Sequence, residues 1–165
     1  MKLYMRQKVF SWNDHFTIKD ESGLDKYIVE GELFSWGKKL HILDLDGRER
    51  AFIQQKVWSF LPRFIVYVNG IEVAQIVKKF TFFLPKYTVE GLNWEVEGSI
   101  FAHDYQIIKS GKTMVSIFKE WMTWGDCYEI NIEPGTNELV ALAVVLAIDC
   151  VLESNSGVSI KVNSN

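Results

Sequence analysis

The residue with the clearest claim to acid–base chemistry is Asp149, because it ends a stretch that otherwise contains no polar group. Every residue from Leu139 to Ile148 is apolar, and Glu138 and Asp149 mark the two edges of the run. A buried carboxylate without a partner is costly, so Asp149 must reach solvent or meet a Lys, an Arg or a backbone donor. No second group is in view for a catalytic pair, which leaves a structural role as the expectation. The histidines His15, His41 and His103 show no metal-ligand spacing. His15 and His103 each adjoin an Asp, yet neighbours along a strand point to opposite faces. Ser110-Gly-Lys-Thr113 imitates the end of a phosphate loop, but Gln106 stands where the first Gly is required, and a hairpin surrounds it. Cys127 and Cys150 are too few for a disulfide framework, and Cys150 lies in the apolar run as a small hydrophobe. No G-x-S-x-G, H-E-x-x-H or G-x-G-x-x-G motif occurs. The residue types therefore imply no catalytic site, no metal site and no cofactor.

The apolar run belongs to the one stretch that reads as helix, Thr136 to Leu152. Pro134-Gly135 stops the strand before it, Thr136 can cap the first N–H groups, and Glu138 suits the positive first turn. A helix apolar all round is either a membrane span or is enclosed by protein. A span needs about 20 apolar residues, whereas this run has ten. Enclosure is the expectation.

What encloses it is an internal repeat. Phe10-Ser-Trp12 is followed by Phe16, Ile18 and Gly23; the frame returns as Phe34-Ser-Trp36 with Leu40, Ile42 and Gly47. It returns as Trp58-Ser-Phe60 with Phe64, Val66 and Gly70, and more loosely as Thr81-Phe-Phe83 with Tyr87, Val89 and Gly91. A shortened copy is Phe101-Ala-His103 with Ile107 and Gly111, and the sixth is Met122-Thr-Trp124 with Tyr128, Ile130 and Gly135. Each unit alternates apolar and polar residues and turns at a Gly; the first five then alternate again, which describes a hairpin, and the sixth runs into the helix instead. With an opening strand at Leu3–Phe10, the six units make about twelve strands. A sheet of that size removes its edges by closing. Scaling from eight-stranded barrels gives a backbone radius of roughly 11 Å, enough for a helix on the axis. The fold class expected is an all-β closed antiparallel barrel around a hydrophobic C-terminal helix.

With 165 residues, 48% hydrophobic and 14% aromatic, one domain with a full core is expected over residues 1–153, followed by a flexible tail at 154–165. The net charge of −3 argues against nucleic acid as a partner. The N-terminus lacks the apolar segment of a secretory signal, so a cytoplasmic protein, peripheral at the membrane if lipid is its ligand, is expected.

Residues 5–23, 34–56 and 120–126, set in the six-unit frame with its terminal apolar helix, resemble the LURP-one-related family. The domain of that family has the tubby C-terminal-like fold, so the resemblance implies a twelve-stranded barrel around a hydrophobic helix. It implies little about activity. The related tubby and phospholipid scramblase domains act at membranes, tubby by binding phosphoinositides, but neither supplies a motif that maps onto residues here.

One constellation remains. The third residues of the opening triplets are Trp12, Trp36, Phe60, Phe83, His103 and Trp124, and equivalent repeat positions lie at equivalent heights. Such a ring either corks one end of the barrel over the helix or forms an aromatic rim that docks on a membrane interface or a partner. Lys38-Lys39 and Lys78-Lys79 are short basic runs, below the four to eight clustered cations usual for anionic lipid unless strands assemble them in space. The functional expectation is a non-enzymatic binding or scaffold module whose partner is anionic phospholipid or another protein. The alternative is a small-ligand-binding protein or enzyme whose site is invisible in sequence.

Overall fold

The structure is a computed structural model and describes residues 1–6, 15–32, 36–79, 86–122 and 125–156. Twelve antiparallel strands close into one barrel in chain order, β12 pairing with β1. They are β1 (Lys2–Arg6), β2 (His15–Lys19), β3 (Asp25–Gly31), β4 (Lys39–Leu43), β5 (Glu49–Gln55) and β6 (Arg63–Val68). The second half is β7 (Ile71–Lys79), β8 (Lys86–Glu90), β9 (Trp94–Ser99), β10 (Asp104–Lys109), β11 (Lys112–Met122) and β12 (Gly125–Ile132). The helix α1 (Glu138–Ser156) follows β12.

The repeat read from sequence is the barrel's inner surface. Ile18, Leu40, Ile42, Phe64, Val66, Tyr87, Val89, Ile107, Tyr128 and Ile130 are all buried in one core with the helix, and Phe16 packs against it. Each repeated pair therefore gives one even-numbered strand its two inward residues. Register shifts occur at Ile18/Lys19, Ile42/Leu43, Val66/Tyr67 and Ile107/Ile108, at matching points of four units. A bulge bends its strand and raises the twist, which helps a sheet to close. Two turns share a further device: Asp20 Oδ1 accepts the N–H groups of Ser22 and Leu24, and Asp44 Oδ1 those of Asp46 and Arg48. Gly47 closes the second of these at φ 79°, a region that side-chain-bearing residues avoid.

The β2–β3, β4–β5, β6–β7, β8–β9 and β10–β11 turns lie at one end of the barrel, and the β3–β4 and β5–β6 connections, of seven residues each, at the other, open end. The helix enters from the turn end. Its first turn is capped by Asn137, whose Oδ1 accepts the Val140 N–H at 3.0 Å. The cap is thus one residue later than the sequence suggested, and Thr136 instead places its hydroxyl 3.5 Å from the Met114 carbonyl oxygen. Glu138 accepts from Lys26 Nζ and from the Tyr27 hydroxyl, both at 2.8 Å, and so pins the helix start to β3. From Ala141 to Val151 every helix residue is buried, and α1 lies closest to β5, β6 and β7. The helix continues to Ser156, past the Leu152 end and the residue-153 boundary expected from sequence, and Ser154 bonds back to the Cys150 carbonyl. Among the described residues no helix is long and apolar enough to cross a membrane.

Candidate functional site

The connections at the open end carry both the polar group inside the barrel and the aromatic groups outside it. Asp149, in the C-terminal half of α1, is buried. His103 Nδ1 lies 3.6 Å from Asp149 Oδ1. The turn that brings it there is a short 3₁₀ segment, Ile100–Ala102, ending at His103 in the left-handed region at φ 50°. Buried Ile100 anchors this segment, and the His103 N–H donates to the Ile100 carbonyl at 3.1 Å. The imidazole stacks on Tyr128 at 4.1 Å with 17° between the planes. Burial holds the His103 pKa below its ordinary value despite the nearby carboxylate. Tyr105, from the neighbouring β10, is fully buried; burial and then the Asp149 charge push its phenol well up. Its hydroxyl has no hydrogen-bond partner among the described residues. The cluster thus sets His103 of the β9–β10 connection between Asp149 of α1 and Tyr128 of β12, with the Tyr105 phenol of β10 buried in the field of the Asp149 charge.

The six ring positions do not share one environment. Trp36 and Phe60 stand in solvent, 83% and 96% exposed, while His103 turns inward with 24% of its side chain exposed. Trp12, Phe83 and Trp124 lie outside the described residues. The residue that sequence reasoning passed over is Trp58, 88% exposed beside Phe60. It is the first residue of the third triplet, and the choice of the third position alone kept it from notice. Trp36 sits on the β3–β4 connection; Trp58 and Phe60 sit on the β5–β6 connection next to it.

The same sector gathers positive charge. In the segments 36–39, 54–65, 76–79 and 86–88, which form the open end of β4 to β8, there is no Asp or Glu. They contain Lys38, Lys39, Lys56, Arg63, Lys78, Lys79 and Lys86, and Lys79 pairs in register with Lys86 across β7 and β8. Glu32, just after β3, ion-pairs with Lys39 at 2.9 Å, and Arg63 lies 3.6 Å from Glu90 of β8. Two-residue runs far apart in sequence thus become neighbours around a barrel rim.

A model of the LURP-one-related family matches residues 1–149, which takes in all twelve strands and most of the helix. The chain belongs to the LURP-one-related family. It is similar to the uncharacterized protein YxjI of Bacillus subtilis (strain 168), with 35% identity over 160 residues covering 97% of this chain and 99% of that one. Among solved structures it resembles the protein from Arabidopsis thaliana AT5G01750, with a TM-score of 0.60, 14% identity and 90% of each chain covered. At that identity the likeness shows the barrel-and-helix fold alone. For this LURP-one-related chain, then, function has to be argued from the rim itself.

Proposed function

We propose that this protein is a non-enzymatic docking module whose open barrel end associates with anionic phospholipid at a membrane surface. The observation that carries the reading is the rim of β4 to β8, where Lys38, Lys56 and Arg63 share the end of the barrel with three lysines of β7 and β8; no acid lies in those segments, and Arg63 reaches one along the wall, Glu90 at 3.6 Å. A Lys or Arg close to an anionic surface contributes about 1 kcal/mol, and the effect fades beyond the ~8 Å Debye length of physiological salt. Only cations gathered on one face can act together, so the rim matters more than the overall net charge of −3. The acids balancing it lie elsewhere, including Asp20, Glu21, Asp44 and Asp46 at the turn end. A tubby-like assignment of the barrel and a cytoplasmic location at the membrane periphery belong to the same proposal, with residues 1–153 as the docking domain and 154–165 as its tail.

The test is co-sedimentation with vesicles of phosphatidylcholine alone and of phosphatidylcholine with phosphatidylserine. We expect binding only with phosphatidylserine, weakening steadily as salt rises, and lost in a Lys38→Glu, Lys56→Glu, Arg63→Glu triple variant. Failure of the wild-type protein to sediment with anionic vesicles at low salt ends the proposal.

A further inference from the structure

The exposed aromatic residues stand on two loops that are locked to each other. Gly37, beside Trp36, has φ +80°, and a Cβ placed on it would come within 2.6 Å of Val57 Cγ2, beside Trp58. The Lys38 N–H donates to Gln55 Oε1 at 3.1 Å, and the Gln55 N–H donates to the Lys38 carbonyl at 2.8 Å. The base of the β5–β6 loop is closed by the Lys56 N–H donating to the Arg63 carbonyl at 2.9 Å. Inside that loop the Ser59 hydroxyl faces the carbonyls of Lys56 and Leu61, bracing the turn between Trp58 and Phe60. The backbone at 37–38 and 55–63 is therefore braced while three large rings project into water.

Exposure of this kind has no counterpart in the folding of the chain, since those rings bury nothing where they are. Burying an aromatic side chain removes roughly 150–250 Å² from water, and a backbone already fixed avoids the ordering cost that binding otherwise carries. The flanking charges select the environment that would receive the rings. Lys38, Lys56 and Arg63 sit at the base of the same two loops, Arg63 also donating to Gln75 and lying 3.6 Å from Glu90. An apolar tip over a cationic shoulder matches the layering of an anionic bilayer, acyl chains first and headgroups behind. At the far end of the barrel Asp20, Glu21, Asp44 and Asp46 lie in the β2–β3 and β4–β5 turns, away from the aromatic loops.

We propose that the two loops are an insertion wedge: Trp36, Trp58 and Phe60 enter the acyl-chain boundary while Lys38, Lys56 and Arg63 remain with the headgroups. This rests on the anionic-lipid reading and adds to it a hydrophobic anchor and an upright orientation. Electrostatic adsorption alone would leave the rings in water.

The experiment uses the full chain with phosphatidylserine-containing vesicles whose phosphatidylcholine carries bromine at a defined depth in the acyl chain. We expect tryptophan emission to be quenched on binding, and the quenched fraction to fall in a Trp36→Phe, Trp58→Phe variant that still binds. A Trp36→Ala, Trp58→Ala, Phe60→Ala variant, altered only at exposed positions, should unfold at the wild-type temperature and partition roughly 10- to 100-fold more weakly. Its residual binding should be the part that salt removes. Gly37→Ala, which sets a methyl against Val57 at a φ of +80° and so strains the contact between the two loops, should weaken partitioning in the same direction with all three rings present. If the wild-type protein binds these vesicles without quenching, and the triple variant binds equally well, insertion is refuted and surface adsorption stands. If the wild-type protein does not bind at all, the anionic-lipid reading fails and the wedge with it.

Discussion

Replacing Leu146 by alanine removes an isopropyl group from the axis of the barrel, at a position with no exposure. In an isolated helix the change is slightly favourable, because alanine has the higher propensity, by a few tenths of a kcal/mol. Inside the barrel the sign reverses. Three carbon atoms lose their burial, about 2.4 kcal/mol at ~0.8 kcal/mol per methylene-sized group, and an unfilled volume is left behind. How far that volume collapses sets the rest, and measured Leu→Ala costs in cores run from about 2 to 5 kcal/mol. Here the wall is a closed, hydrogen-bonded sheet whose strands cannot move inward singly. We therefore expect about 3–4 kcal/mol, a large share of the ~5–15 kcal/mol that stabilises a typical domain. Urea unfolding is the assay, with the midpoint lowered and the slope unchanged. In a thermal scan the loss corresponds to roughly 6–16 °C for a chain of this size. Leu45→Ala, in an exposed turn, is the control and should shift stability by less than about 0.5 kcal/mol. A Leu146→Ala cost below about 1 kcal/mol would mean that the helix is not enclosed as described.

Two further predictions concern the ends of the same helix. Burial lowers the folded-state pKa of His103, so the unfolded chain binds this proton more readily. The associated stability is fully present above the unfolded value of about 6.5 and is lost as pH falls from there through the folded value. His103→Phe keeps a ring against Tyr128 and removes the titration; it should flatten the stability profile just below pH 6.5, as read by urea midpoints, and an unchanged slope there would count against this assignment. At the other end, Asn137→Ala removes the acceptor for the Val140 N–H and should cost about 1 kcal/mol, with Asn137→Asp close to wild type in the same measurement.

How much of this could be read beforehand follows from how far each signal reaches along the chain. The hairpin turns, the inward pairs such as Phe64 and Val66, and the wholly apolar helix are local patterns. Their periodicity is imposed by the backbone, and twelve strands with one apolar helix admit few enclosures, so the closed barrel was legible. The helix cap was misplaced by one residue because Thr136 and Asn137 are both competent caps, and only the approach of Thr136 to the Met114 carbonyl separates them. Equivalence within the repeat suggested one height for Trp36, Phe60 and His103, but not one direction. His103 follows a short 3₁₀ turn that rotates it toward Asp149, whereas Trp36 and Phe60 lie on longer connections that leave them outside.

By itself the sequence determined the architecture, because strand alternation, glycine turns and the absence of a polar helix face are properties of neighbours along the chain. The tertiary structure decided the site. Lys38, Lys56 and Arg63 and the lysines of β7 and β8 stand around one rim only because antiparallel closure brings the open ends of β4 to β8 side by side. The same closure places Gly37 against Val57, so that the connections carrying Trp36 and carrying Trp58 and Phe60 meet. Charge and apolar surface act over distances of several ångströms in space, and sequence separation carries no record of those distances until the strands are paired.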